Sequence, residues 1–424
     1  MTNRSLPTIG NAYSQAKRDE HVWPFNSTLR ELALDAACII LLFTATTAVH
    51  KFESIDRLVW LLADLTVVVM LVPWQREFLY TARRNFILLT WPMLATMSFL
   101  WSLVPDLSLY HGLQLFTTVL VGFMLTIFAR IERLVPLVFT ALAAAGVLSA
   151  AYIVVNPADG IAAAGEWQGL FVHKNTMGSM MSLLFVTAGC LFLQGWRRAV
   201  TAGAMVFAAA LLLLSRSGTA VIALAVTLSV APVVLVIRKG LISSSLGVGL
   251  ALVVVAGGLM AFELAQVELV PTILDAVGKD ETLTGRTVLW DIAMASYESR
   301  PWLGSGFKAW WNSYETDAAI VINLVGNDAK SFHNSLVEVT VAFGTMGPIL
   351  LIVGLVYCLI ITVRAYAADG RFLMLWPLLA TVYTVCSCFA ESMLFMNHGF
   401  YQLLLVVAAA CASRQFSQLR SEQR

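Results

Sequence analysis

His333 stands where a polar stretch gives way to a long apolar run, in the segment KSFHNSLVEV (330–339). Imidazole is the side chain best matched to base work near neutral pH. Asn334 follows it, and Glu338 lies about one helical turn further in, where an ionisable group calls for a function or a partner. We therefore predict that Glu338 contacts His333 and orients the ring. The alternative is a hydrogen-bonded histidine at the membrane interface.

Two arginines occupy positions that favour an anion nearby. Arg216, followed by Ser217, lies in the short turn LSRSGTA (214–220) between two apolar runs, where an arginine facing lipid is costly. Arg286, in LTGRTVLW, begins a predicted helix at 285–298 that stops before Pro301. A cation there is at the unfavourable end of the helix dipole, so a bound anion is a reasonable explanation. The alternatives are an Arg216 that extends to the lipid headgroups and an Arg286 that is simply solvated.

Two further cations are candidates for the same role. Lys174 begins an apolar run in VHKN, between His173 and Asn175, and is either part of an anion site or an interfacial anchor. Arg300 either joins the anion site or caps the end of the loop helix. The loop around Arg300 holds nine acidic residues against five Lys or Arg, so any anion site must be local.

The composition places these residues in a membrane protein. Hydrophobic residues make up 59% of the 424 residues and charged residues only 12%, with a mean hydropathy of +0.78. The six cysteines all fall in apolar runs, which argues against disulfides or metal ligation. The first 30 residues are polar, so no cleavable signal peptide is expected.

The apolar runs predict an all-α polytopic membrane protein with about twelve spans, because each run is long enough to cross the bilayer as a helix. The chain then divides into an N-terminal segment (1–32), helices 1–9 (33–264), one large loop with short helices (265–334), helices 10–12 (335–413) and a tail (414–424). The predicted spans are 33–49, 58–73, 85–103, 110–128, 135–155, 176–194, 199–214, 218–237, 244–264, 335–363, 373–390 and 398–413.

The distribution of Lys and Arg predicts the orientation. With the N-terminus in the cytoplasm, the inner segments hold 18 of these residues and the outer ones nine. Both termini are then cytoplasmic. The large loop, Lys174, Arg216 and His333 lie on the outer face.

The outer face limits the chemistry, because no ready supply of ATP or nucleotide sugar exists there. The sequence has no phosphate-binding Walker loop, no dinucleotide-binding glycine motif and no HExxH or Asp-x-Asp motif for a metal. An enzyme on this face needs a substrate that arrives activated, such as a lipid-linked diphosphate sugar. Its transfer requires cations facing the diphosphate leaving group and a base for the attacking hydroxyl.

Four segments in this order resemble the O-antigen ligase and polymerase family. They are WQGLFVHKNTMGSMMSLL (167–184), LLLLSRSGTAVIAL (211–224), LTGRTVLWDIAMASYESRPWLGSGFKAWW (283–311) and SFHNSLVEVTVAFGTMG (331–347). The first segment, the pair Trp101 and Pro105, and the GRT-x-LW form are most similar to exopolysaccharide polymerases of the ExoQ type.

The resemblance implies a glycosyltransferase of the bacterial inner membrane, with a GT-C-like architecture and a periplasmic active site that uses undecaprenyl-diphosphate-linked oligosaccharide without nucleotide, metal or other cofactor. It implies that Arg216 and Arg286 clamp the diphosphate and that His333 is the general base, while Lys174 and Asn175 match its HKN box. The implied partners are the acceptor sugar chain, membrane lipids, a flippase and a chain-length regulator, and no nucleic acid.

The sequence favours a polymerase of lipid-linked repeat units and leaves two alternatives. A ligase would move the finished chain to a lipid core or a protein with the same donor chemistry. A flippase or exporter would need ionisable residues along a path through the bilayer, for which Asp64 is the main candidate. The aromatic run Phe307, Trp310 and Trp311 either stacks on sugar rings or packs the large loop onto the membrane surface.

Overall fold

The computed structural model describes residues 27–46, 53–171, 173–238, 253, 284–325 and 331–422. Within these ranges the fold is all-helical, as predicted, and the β-type pairing is limited to an isolated bridge between Ile161 and Trp167. The α-helices are α1 (Ser27–Ala45), α2 (Glu53–Leu71), α3 (Gln75–Arg84), α4 (Phe86–Met97), α5 (Pro105–Phe128), α6 (Ile131–Val155), α7 (Pro157–Gly160), α8 (Lys174–Gln194), α9 (Arg198–Ser215), α10 (Gly218–Arg238), α11 (Thr284–Ser299), α12 (Ala318–Val325), α13 (Ser335–Phe343), α14 (Met346–Asp369), α15 (Leu375–Ala390) and α16 (Phe400–Glu422).

Six helical stretches in this part of the chain are long and apolar enough to cross a membrane, which makes the protein multi-pass. They are α5, α6, α8, α9, α14 and Phe372–Ala390, which contains α15. Two shorter apolar stretches, Phe86–Leu100 and Gly218–Val234, coincide with two more predicted spans. The total of about twelve stays a prediction. The predicted span 244–264 lies outside the described residues except for Val253.

The predicted single span 335–363 is wrong, because the structure has two helices there. Helix α13 ends at Phe343, and α14 begins at Met346. Gly344 between them has φ +59° and ψ −145°, a conformation that is essentially restricted to glycine. A Cβ on Gly344 would lie 2.5 Å from the carbonyl oxygen of Pro301, so glycine also permits close approach of the preceding loop.

The large loop contains the predicted helix, since α11 covers Thr284–Ser299 where 285–298 was expected. Residues 265–283 of the loop lie outside the described ranges. One apolar cluster joins the loop to α13. Its members are Leu289 of α11, Val321 of α12, Val341 of α13, and Trp310 and Phe332 between these helices. This cluster fixes the described part of the loop against α13.

The segment that follows α11 is held between two membrane helices. The backbone N–H groups of Ser305 and Gly306 donate to carbonyl groups near the end of α13. On the other side, Phe307 N–H donates to Ser98 Oγ at 3.0 Å, and the Phe307 carbonyl accepts from Ser108 Oγ of α5. Phe307 also stacks on Phe343, with 5.8 Å between ring centroids. Phe307 and Trp310 are therefore buried inside the protein, and packing of the loop on the membrane surface stays a prediction.

The helix ends that carry the candidate residues gather at one end of the bundle. Helices α8, α10 and α13 begin there, and α15 ends there. At the opposite end, Arg371 pairs with Asp369 and Glu132. These two residue groups were predicted on opposite membrane faces. Which end faces the cytoplasm stays a prediction.

Candidate functional site

His333 pairs with a carboxylate that the sequence reasoning missed. Its Nδ1 lies 2.8 Å from Oε2 of Glu391, just beyond the end of α15. The predicted contact with Glu338 is wrong: Oε1 of Glu338 accepts from the Phe332 N–H at 2.7 Å and from Ser392 Oγ at 3.1 Å. Glu338 thus holds the backbone next to His333, and Glu391 holds its ring.

The imidazole–carboxylate pair is suited to general-base chemistry. With Glu391 ionised, Nδ1 of His333 carries the proton and donates to it, which leaves the lone pair on Nε2. Nε2 has no hydrogen-bond partner in the described part of the chain, and the His333 side chain is 30% exposed. A substrate hydroxyl can therefore approach Nε2 while Glu391 fixes the opposite nitrogen.

Two loops that carry this pair are joined by hydrogen bonds. Ser331 Oγ accepts from the His333 N–H at 3.0 Å and donates to Ser392 Oγ at 2.8 Å. The predicted supporting residue Asn334 caps α13 through its Oδ1, which accepts from the N–H groups of Leu336 and Val337. Its Nδ2 donates to the carbonyl of Phe389. The His333 loop and the Glu391 loop are therefore one unit.

A buried chain of polar side chains continues from Glu391 into the HKN segment. Asn175 Nδ2 donates to the second carboxylate oxygen, Oε1 of Glu391, at 2.6 Å. Ser217 Oγ donates to Asn175 Oδ1 at 2.9 Å. Asn175 is 9% exposed and Ser217 only 1%. Both oxygens of Glu391 are thus engaged, which fixes the carboxylate in front of His333.

Two further residues of this segment position Asn175 against Glu391 and Ser217. His173 caps α8, because its Nδ1 accepts from the Asn175 N–H at 3.2 Å. Gly178 lies one turn further along α8, where a Cβ would approach within 2.8 Å of Ser217 Cβ. Glycine here allows α8 to lie against the turn between α9 and α10, which brings Ser217 to Asn175.

The two cations nearest this chain differ in how far they are neutralised. Lys174 Nζ donates to Glu166 Oε1 at 2.9 Å. That bond, with the nearby charge of Arg216, holds the pKa of Glu166 below its ordinary value. Arg216 is exposed and donates through one terminal nitrogen to the Ala164 carbonyl at 3.1 Å. No carboxylate lies within 4.0 Å of Arg216 among the described residues, so its guanidinium is better placed to hold an anion.

No described contact joins the other two predicted cations to the hydrogen-bonded series Glu391, Asn175 and Ser217. Arg300 lies 3.7 Å from Glu315, and both side chains are largely exposed. Arg286 is in the first turn of α11, as predicted, but its side chain lies outside the described part of the structure. Their role in binding diphosphate stays a prediction.

Backbone strain recurs around the candidate residues. Arg216, Lys308 and His333, together with Phe395 and His398 in the segment after Glu391, have positive φ angles between 50° and 61° although none is a glycine. Such conformations cost energy and are found most often where a side chain must be held in one direction for function. The sixth described case, Arg197, is at the other end of the bundle.

A sequence signal for Glu391 did exist. It is an ionisable residue placed directly after an apolar run on the predicted outer face, the same feature that drew attention to Glu338. The choice between the two carboxylates depended on tertiary contacts, because Glu391 is 58 residues away from His333 in the chain.

The fold and site together define a multi-pass helical membrane protein with an imidazole–carboxylate pair at one end of its bundle and an exposed arginine there that has no carboxylate partner among the described residues. Residues 203–352 match the family model of the O-antigen ligases, a range that includes Arg216, Arg286 and His333. The chain is also 30% identical over 285 residues to the exopolysaccharide production protein ExoQ of Rhizobium meliloti (strain 1021), covering 62% of this chain and 61% of that protein. These matches confirm the resemblance inferred from the four motifs.

Proposed function

We propose that this protein is a polymerase of lipid-linked polysaccharide repeat units. The observation that carries the proposal is the position of Nε2 of His333, which is open to a substrate while Glu391 holds Nδ1 at 2.8 Å. The O-antigen ligase match and the similarity to an exopolysaccharide production protein support glycosyl transfer in polysaccharide synthesis.

In the proposed reaction, a hydroxyl of the incoming unit attacks the anomeric carbon of the sugar on undecaprenyl diphosphate. The O–H proton passes to Nε2 of His333 as the new glycosidic bond forms. The bond from the anomeric carbon to the diphosphate oxygen breaks, and its electron pair leaves with the diphosphate. Arg216, with Arg286, Lys174 and Arg300, stabilises this charge. If base and leaving group lie on opposite faces, the anomeric centre inverts.

The setting of the reaction is part of the proposal. The active site faces the periplasm from the bacterial inner membrane, both termini are cytoplasmic, and no nucleotide or metal takes part. A flippase supplies the lipid-linked units, and a chain-length regulator acts with the enzyme.

The second candidate is a ligase, favoured by the description of the matching family as O-antigen ligase. It shares His333, Glu391 and Arg216, and differs only in passing the chain to a lipid core or a protein. The exporter alternative depended on Asp64, which lies 3.3 Å from Nε2 of His398. Asp64 therefore has a partner inside the protein, and its presence in an apolar helix does not require a transport path.

The test uses purified protein in lipid vesicles and lipid-linked repeat units from the same organism, with no nucleotide or metal. A ladder of lengthened chains on a gel is the result expected of a polymerase. The Arg216→Ala variant should need about ten- to a hundredfold more donor for the same rate, because a charge-assisted contact is lost.

The control is Arg198→Ala, at the other end of the bundle, which should leave the ladder unchanged. Transfer only after a lipid core is added would make the protein a ligase. Movement of substrate across the bilayer with neither product would overturn the enzymatic proposal.

A further inference from the structure

A cavity of about 140 Å³ lies beside the segment that carries His333. It is lined by Lys308, Trp310, Trp311, Phe332, Glu338 and Ser392, among others. Phe332 precedes His333 in the chain, and Ser392 follows Glu391, so the cavity shares walls with the imidazole–carboxylate pair. A cavity of about 150 Å³ is known to admit benzene, and a pyranose with its hydroxyl groups is larger than benzene, so the space is limited to one sugar ring at most.

Lys308 is an ammonium group with unused hydrogen-bonding capacity. Its Nζ lies 3.5 Å from the sulfur of Met396, a weak acceptor, and 5.7 Å from the centroid of the Phe307 ring. In the described part of the chain no carboxylate is within 4.0 Å of Nζ. Burial lowers the pKa of Lys308 from its ordinary value, and the Glu338 carboxylate opposes that shift. With φ at +58°, the residue also holds a strained backbone.

The other polar groups of the cavity are also incompletely satisfied. Glu338 uses Oε1 for Phe332 and Ser392, and its Oε2 has no hydrogen-bond partner among the described residues. The indole N–H of Trp311 is buried and likewise lacks an acceptor there. The Trp311 N–H is the fully buried group among these, and a buried polar group is normally paired, so with the open donors of Lys308 and the open oxygen of Glu338 beside it the cavity is suited to a polar ligand.

We propose that this cavity is the subsite for one pyranose ring of the acceptor chain, an inference that rests on the proposed function. Neighbouring hydroxyl groups of the ring bond to the Lys308 ammonium and the Glu338 carboxylate. The apolar face of the ring lies against the aromatic walls, and the Trp311 N–H donates to a ring or hydroxyl oxygen.

The acceptor is favoured over the donor because of where the cavity lies. It adjoins the backbone that carries His333, the proposed base for the acceptor hydroxyl. Arg216, the proposed diphosphate contact, is reached from His333 in the other direction, through Glu391, Asn175 and Ser217. His333 thus adjoins the cavity through its own backbone segment and is linked to the turn of Arg216 only through Glu391, Asn175 and Ser217, which favours the acceptor as the occupant of the cavity.

The kinetic test uses a methyl glycoside of the repeat-unit oligosaccharide, which can accept a sugar but lacks the diphosphate needed to donate one. Lys308→Met should raise the KM for this acceptor about ten- to a hundredfold and leave the KM for the lipid-linked donor unchanged. Trp311→Phe keeps an aromatic ring but removes the indole N–H. This variant should raise the acceptor KM by a smaller factor. Trp302→Phe is the matched control, since Trp302 is 72% exposed.

An unchanged acceptor KM in both cavity variants, or an increase in the donor KM instead, would overturn the subsite. Saturation-transfer NMR of the same glycoside on the His333→Ala protein separates this proposal from the proposed function. Suppose that wild type transfers no sugar, but His333→Ala gives the NMR signal of the bound glycoside and the double variant Lys308→Met/His333→Ala does not. The subsite proposal then holds, and the polymerase proposal is wrong. If Lys308→Met fails to fold, Trp311→Phe carries both measurements.

Discussion

The described part of the protein contains two pairs of histidine and carboxylate, and they are built differently. In the first, Nδ1 of His333 lies 2.8 Å from Glu391, whose other oxygen is bonded to Asn175. In the second, Nε2 of His398 lies 3.3 Å from Oδ2 of Asp64, and the His398 ring stacks on Trp60 with 4.2 Å between centroids and 7° between planes. Oδ1 of Asp64 is buried without a hydrogen-bond partner in the described residues.

This difference shows that residue type alone does not make a base. Glu391 is held at both oxygens by a chain that ends at Ser217, so the His333 ring has one orientation and one free nitrogen. His398 is covered by Trp60 and directs Nε2 at Asp64 with imperfect geometry. We interpret the second pair as a packing contact between α2 and the loop before α16, and the predictions below test that contrast.

The largest effect is expected from removing the imidazoles. His333→Ala should lower kcat for chain extension by about 10²- to 10⁴-fold, because no other group takes the hydroxyl proton. His398→Ala should leave kcat within a few-fold of wild type. Initial rates with lipid-linked repeat units measure both. An equal loss of kcat in His333→Ala and His398→Ala would contradict the proposal that only the first pair takes part in catalysis.

Replacing the carboxylates should give the next largest effect. Glu391→Gln keeps the side-chain size but removes the charge that fixes the Nδ1–H form, and kcat should fall about a hundredfold with little change in KM. Asp64→Asn should change kcat little.

The expected cause in Glu391→Gln can be observed directly. In protein with ¹⁵N-labelled histidine, the ring signals of His333 should show loss of the Nδ1–H form, with the thermal midpoint of the protein unchanged. A lower midpoint with unaltered ring signals would mean that Glu391 only stabilises the fold.

A smaller effect is expected one step further along the chain. Asn175→Ala removes the hydrogen bond to Oε1 of Glu391, so kcat should fall about tenfold, the equivalent of one charge-assisted hydrogen bond. Ser217→Ala should cost less, because Ser217 reaches Glu391 only through Asn175. Thr227→Val, a buried hydroxyl bonded only within α10, is the matched control. A greater loss in Ser217→Ala than in Asn175→Ala would contradict the proposed order of the chain.

Local sequence was sufficient for much of the fold but not for the pairing within the site. The predicted span 135–155 agrees with α6, because an apolar run in lipid must satisfy its backbone as a helix, and the predicted loop helix 285–298 agrees with α11. The break at Gly344 was missed, since its cause is the approach of Pro301 from a distant loop. His333, Lys174 and Asn175 were anticipated from residue type and membrane depth. Glu391 was not, because it lies 58 residues from His333 in the chain, and Glu166 was missed although it is only eight residues before Lys174.

The smallest effect separates stability from catalysis at the second pair. Trp60 is fully buried, and Trp60→Phe reduces the aromatic surface that stacks on His398. The free energy of unfolding should fall by about 0.5–1.5 kcal/mol, the usual contribution of an aromatic stack beyond burial. We expect a lower thermal midpoint in detergent with kcat unchanged at a temperature well below it. If kcat fell instead while the thermal midpoint stayed the same, Trp60 and His398 would belong to the transfer site. A contact that only packs the fold should lower stability before it lowers kcat.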